Sequence, residues 1–149
     1  MNWTEYFLNI AEQIKLRSKD KSTKIGVAIV GPDHELRSTG YNSFVRGIDD
    51  NNPERQQRPE KYYWFEHAER NAIYNAARIG VSTKGCTMYM SCGVACADCA
   101  RAIIQAGISE IWCKADDPTP GKQSTLWDEH AKRSVIMFEE AGVKVNYYK

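Results

Sequence analysis

His67, Glu69, Cys96 and Cys99 are the residues of this chain whose types and spacing could do chemistry. His67 and Glu69 stand two positions apart in "HAERNA", a small-residue stretch that reads as a helix. Cys96 and Cys99 stand three apart in "CADC", at the start of a second helical stretch. Each pair alone has an ordinary explanation. A His-x-Glu is common on a buried helix. A C-x-x-C also fits two core cysteines or a redox pair, though the redox motif normally lies early, after a first strand. A zinc ribbon would want a second C-x-x-C, and the chain has none. The two pairs together are far more specific. One imidazole and two thiolates supply three protein ligands, and a catalytic zinc keeps its fourth position for water. Glu69 can sit beside that water as a proton carrier without coordinating the metal. A helix start suits the cysteines, because the helix dipole favours the thiolate form.

The elements that must position these residues follow from periodicity. Trp3, Tyr6, Phe7, Ile10, Ala11 and Ile14 recur at spacings of three and four and mark an amphipathic opening helix. "KIGVAIVG", the turn "GPDH" and "ELRSTGY" read as a two-stranded hairpin. Residues 43–61 hold two prolines, many charges and little periodicity, and read as a long loop of the kind that forms lids or stays disordered. Residues 66–79 form a helix with Ala68, Ala72, Ile73, Ala76 and Ala77 inward, ended by Gly80. "CTMYM" is a buried strand from which "SCGVA" bends away, followed by the helix "CADCARAIIQAG". "ISEIWCK" is a strand, 115–125 a loop, "LWDEHAKRSVIMFEEAG" a helix and "VKVNYY" a last strand. This order predicts one α/β domain over residues 1–149, a central mixed sheet covered by helices on both faces. The strand "CTMYM" lies between the two helices, so a right-handed crossover brings their N-termini to one sheet edge.

Composition removes several function classes. The chain carries 20 basic and 19 acidic residues, a formal charge of +1. That balance argues against an extended grip on nucleic acid or an anionic membrane, while leaving room for a small pocket for one phosphorylated ligand. "MNWTEYFLNIAEQ" has no basic segment leading into an apolar run, and "IGVAIV" is far too short to cross a bilayer. A soluble, cytoplasmic protein is expected. The five cysteines are odd in number and clustered in the second half, which argues for reduced thiols over a disulfide framework. Cys86 and Cys113 lie in apolar strands and read as core thiols. Cys92, in "SCGVA", is open between a core residue and a wall of the pocket. His34, in a turn, and His130, in a late helix, read as surface residues.

The order H-x-E then C-x-x-C is the signature of zinc-dependent base deaminases, in which a proline precedes the first cysteine. Ala95 stands there instead; this removes no ligand but can loosen the approach to the cysteine helix. The chain resembles the deoxycytidylate (dCMP) deaminases of the cytidine deaminase superfamily over nearly its whole length. "RSKDKSTKIGVAIVG", "STGYNSF", "HAERNAIYNAA", "CADCARAIIQAGI" and "FEEAGV" carry the resemblance. It implies a three-layer α/β/α cytidine deaminase-like fold with a central mixed five-stranded sheet. It also implies one catalytic Zn²⁺ per chain held by His67, Cys96 and Cys99, with Glu69 moving protons from water to N3 and to the leaving amine. The product would be dUMP. Backbone around Ala68 and Ala95 would hold the base edge, and Asn42, in "GYN", the sugar.

For the 5′-phosphate, Lys24 and Arg46 are the candidate cations, with Arg55, Arg58 and Lys61 as alternatives. "MYMSCGVAC" is longer than is usual in the family, so 5-methyl- and 5-hydroxymethyl-dCMP stay open as substrates. Deamination of cytidine or guanine also stays open, as does a non-catalytic zinc-stabilised binding module. The resemblance further implies dCTP or dTTP effectors and a homo-oligomer such as a hexamer, to which the aromatics of "KYYWF" and "LWDEH" would be suited. No second zinc is expected from residues 43–66, which hold no His or Cys.

Overall fold

In a computed structural model the chain is described over residues 1–115 and 125–149, without the side chains of 125–128. Most of the loop expected at 115–125, and Trp127 of "LWDEH", therefore lie outside the described residues. Five strands form one sheet in the order β2-β1-β5-β6-β7. They are β1 (Gly26–Val30), β2 (Leu36–Tyr41), β5 (Thr87–Met90), β6 (Glu110–Lys114) and β7 (Lys144–Tyr148). The predicted hairpin is the antiparallel β1–β2 pair; β1 also runs antiparallel to β5, whereas β5–β6 and β6–β7 are parallel. The sheet is therefore mixed. Parallel neighbours need crossovers, supplied by helix α4 (Ala97–Gln105) and helix α5 (Thr125–Ala141).

Alternation along the strands sorts the core into two layers. β1, "GVAIV", is buried at every position because both of its faces are covered. Ala28 and Val30, with Tyr89 of β5, meet Phe7 of helix α1 (Trp3–Ile14). Val27, Ile29, Met88, Met90, Ile111 and Cys113 point the other way. They pack under helix α3 (Ala68–Ile79), α4 and Phe138 of α5. A side chain of this size contributes about 1.5–3 kcal/mol when fully buried. Among the described residues no helix is long and apolar enough to cross a membrane.

The segment 43–66 departs from the expected loop. It contains β3 (Ser43–Phe44) paired with β4 (Phe65–Glu66), a 3-10 turn at Pro53–Gln56 and the short helix α2 (Lys61–Trp64). Phe44 packs against Phe65, the rings tilted at 55° and 4.2 Å apart between centroids, and closes the excursion at its base. Elements of two to four residues are too short to show a period. The helix expected from residue 66 starts at Ala68, since Phe65 and Glu66 are taken by β4 and His67 is the N-cap. Its end is as read, with Gly80 at φ 77° in the left-handed region.

Gly40 sets how closely α3 lies on the sheet. A Cβ there would stand 2.3 Å from the Ala72 nitrogen and 2.5 Å from the Ala68 oxygen, both backbone atoms of α3. Gly40→Ala must therefore push α3 away from β2, and overpacking of this kind costs about 1–3 kcal/mol. The variant is expected to unfold at a lower urea concentration with an unchanged slope; an unaltered midpoint would mean that α3 does not bear on β2 there.

Candidate active site

Both halves of the sequence signature sit at helix N-termini. His67 caps α3, and its backbone N–H donates to Glu66 Oε1 at 2.9 Å. Cys96 caps α4, and its Sγ accepts from the Cys99 backbone N–H at 3.4 Å. The loop that delivers Cys96 is tied to the ends of two strands. Ser91 exchanges bonds with Gly26, its Oγ accepting from the Gly26 N–H at 2.9 Å and its N–H donating to the Gly26 carbonyl at 3.0 Å. The Cys92 carbonyl accepts from Lys114 N at 2.7 Å. Cys92 is buried within the core beside Ala95 and Cys96.

The donor atoms of His67, Cys96 and Cys99 lie within 4.8 Å of one another. His67 Nδ1 is 3.5 Å from Cys96 Sγ and 3.3 Å from Cys99 Sγ. Tetrahedral zinc with ordinary bond lengths would place a nitrogen and a sulfur ligand about 3.5 Å apart. The three residues fit the ion. Both cysteines are buried, while His67 is exposed. Ala68 and Glu69 follow in the first turn of α3, and Glu69 is 4% exposed.

The protons of the metal-free site are shared. Cys96 is held well below the ordinary thiol range, first by a hydrogen bond from Cys99 and then by His67, against the effect of burial. Cys99 is pushed up, because it keeps the proton of the pair and is itself buried, with the charge of Glu69 adding. The Cys96 contact raises the His67 imidazole above its usual value, against partial desolvation of the ring atoms that face the cysteines, with Glu69 adding. Burial raises Cys113 to about 12, as suits a core thiol.

The remaining candidates lie in different surroundings. Asn42 is buried and much engaged: its Nδ2 donates to Asp20 Oδ2 at 3.2 Å and to the Thr23 carbonyl at 2.8 Å, while its Oδ1 accepts from Ile25 N at 2.9 Å. Lys61 is buried too, its Nζ 2.7 Å from Asp20 Oδ1, and so is not a free cation for a phosphate. Arg55 stacks on Trp64 at 3.8 Å, and Arg58 lies 6.0 Å over Tyr62. Lys24 is exposed. Arg46 donates to Asn75 Oδ1 at 2.7 Å and lines a cavity of about 410 Å³ together with Arg17, Lys19 and Arg78. The zinc triad and Glu69 do not line this cavity, although Asn71, one turn beyond His67, does.

Two features escaped the sequence. His130, read as a surface residue, is half-buried, and its Nδ1 accepts from Ala97 N at 3.0 Å. Asp20 organises the Asn42 wall, accepting also from the backbone of Ser22 at 2.7 Å and Thr23 at 3.2 Å. Neither the Ala97–His130 bond nor the Asp20–Asn42 bond follows from spacing, since they join positions 33 and 22 apart. His34 stacks on Trp3 at the surface, as expected.

Known proteins resemble this chain in sequence and fold. The profile of the "Cytidine and deoxycytidylate deaminase zinc-binding region" matches residues 1–115. The deoxycytidylate deaminase of Mus musculus is 36% identical over 148 residues, covering 96% of this chain and 78% of that one. That of Pongo abelii is 35% identical with the same coverage. The crystal structure of the cyanophage S-TIM5 dCMP deaminase in complex with dCMP and dUMP covers 97% of this chain and 95% of its own. Its TM-score is 0.75 at 21% identity, a likeness of fold.

Metal uptake has to displace the Cys99 proton and, where the imidazole is charged, the His67 proton. Both pKa values are raised, so protons compete better as the pH falls. Zinc affinity, followed by chelator competition across a pH series, is expected to decrease towards acid, with protons released on loading at neutral pH. A pH-independent affinity would contradict these protonation states.

Proposed function

The chain belongs to the deoxycytidylate deaminase family within the cytidine and deoxycytidylate deaminase zinc-binding superfamily, and we propose that it hydrolyses dCMP to dUMP and ammonia. The observation that carries this reading is the convergence of His67, Cys96 and Cys99, with Glu69 in the same helical turn as the imidazole. Zinc at these ligands would supply a water acidic enough to act as a nucleophile at neutral pH. Glu69 would carry one proton from that water to N3 of the pyrimidine, and then the second proton, from the hydroxyl added at C4, to the departing amine. Backbone groups at Ala68 and Ala95, both buried, hold the edge of the base.

Asn42 contributes through Oδ1, whose second lone pair is left for a sugar hydroxyl after the bond from Ile25 N. Its internal bonds make it a fixed acceptor. Lys24 and Arg46 are the cations proposed for the 5′-phosphate. The cavity around Arg46 also offers a place for a dCTP or dTTP effector, since four cations there face one carboxylate, Asp50. A homo-oligomer belongs to the same reading, supported by the exposure of Tyr62 and Tyr63. So does a cytoplasmic setting, in which the five free cysteines would stay reduced. A non-catalytic zinc module is the weaker reading, because structural zinc has no use for the buried carboxylate of Glu69. C5-modified dCMP is an alternative substrate, on the ground that the long segment at residues 88–96 leads directly to the cysteine ligands.

Ammonia release from dCMP, 5-methyl-dCMP, 5-hydroxymethyl-dCMP, CMP, deoxycytidine, cytidine and guanine, each with and without dCTP or dTTP, tests the assignment. Turnover is expected for deoxycytidine monophosphates alone. Equal turnover of deoxycytidine would contradict the nucleotide assignment, and turnover of guanine instead would move the chain to another substrate class.

A further inference from the structure

The two residues between the zinc-site cysteines each meet a group outside α4. Asp98 Oδ1 accepts from Arg101 within the helix at 2.5 Å, and its Oδ2 lies 3.8 Å from Arg70 Nη1 of α3. Arg70 also donates through Nε and Nη2 to Glu66 Oε1, at 2.6 Å in each case. That same oxygen accepts from the backbone N–H of His67 at 2.9 Å. One guanidinium thus links the carboxylate that fixes the histidine to the carboxylate set between the cysteines. Ala97 is the other intervening residue. As the first residue of α4 it has no partner for its N–H inside the helix, and it is buried. His130 of α5 supplies the acceptor at 3.0 Å.

We propose that Arg70 and His130 are positioning residues, which hold the Cys96–Cys99 turn against His67 so that the zinc site is set before the metal arrives. The proposal rests on the reading of His67, Cys96 and Cys99 as zinc ligands. Neither residue can act as a ligand in this arrangement. Arg70 has no lone pair to offer, and the Nδ1 of His130 is engaged by Ala97. Their effect passes through the backbone and the ligand angles. The bond from Ala97 selects the tautomer of His130 with its proton on Nε2.

Loss of a partner outside the ligand set typically weakens metal binding about ten- to hundredfold. The test is zinc affinity by chelator competition on the full chain, alongside the thiolate-to-metal absorption of the cobalt-substituted protein and the thermal midpoint of the metal-free form. His130→Ala and Arg70→Met are expected to lose affinity in that range and to shift the cobalt band. His130→Asn, which keeps an acceptor near the same place, is expected to recover most of the loss. Arg70→Lys, which keeps the charge without the fork, should lie between Arg70→Met and the parent. A merely structural role would lower the metal-free midpoint while leaving affinity and band in place, and that result overturns the proposal. Unchanged affinity in one variant overturns it for that residue. Should His130→Ala not fold, His130→Asn and Arg70→Met decide. A parent protein that takes up no zinc would instead remove the ligand reading itself.

Discussion

Two helix N-termini have to meet within zinc-bonding distance, and the rest of the molecule is arranged around that requirement. The parallel β5–β6 pair obliges the chain to cross over through α4, so that α4 begins beside the end of β5. Gly40 lets α3 settle on β2 and brings His67 to the same place. Helix starts suit the ligands chemically as well as spatially. Their unpaired N–H groups and positive dipole end favour thiolates, and a capping residue stands outside the helix, where its side chain is free to turn towards an ion.

The surroundings of Asn42 are built on a different principle. Asp20 and Lys61 form a buried ion pair, 6% and 9% exposed at the side chain, to which Asn42 is joined. Such a pair is weak evidence for stability, because desolvation offsets much of the attraction. What it gives here is a fixed position. Asp20 accepts from Lys61, Ser22, Thr23 and Asn42, so the turn before β1, the end of β2 and the start of α2 are bound through one carboxylate. Asn42 is thereby held in a rigid frame, and in the proposed reading its remaining lone pair would select ligands that carry the matching donor.

What was legible in the sequence had a local cause. His67, Glu69, Cys96 and Cys99 declare themselves by residue type and spacing, β1 by a continuous apolar run, and the end of α3 by Gly80. Asn42 could be picked out within "GYN", but its side-chain partners Asp20, Thr23 and Ile25 could not. Ala97–His130, Asp20–Lys61 and Arg46–Asn75 are pairings across 33, 41 and 29 positions. Contacts at such separations depend on topology, and no periodicity encodes them. The short elements between residues 43 and 66 failed for a further reason: two residues of strand or four of helix are stabilised by neighbours, such as the Phe44–Phe65 contact, more than by their own propensities.

Deamination in the proposed reading depends most on Glu69 working as a proton carrier beside a metal held by three other residues. Zinc content and dCMP turnover measured together on the parent and on Glu69→Gln test this directly. About one zinc per chain in both proteins, as a single three-ligand set requires, with turnover lost only in the variant, is the predicted result. Turnover in Glu69→Gln comparable to the parent, at equal zinc, would contradict the mechanism.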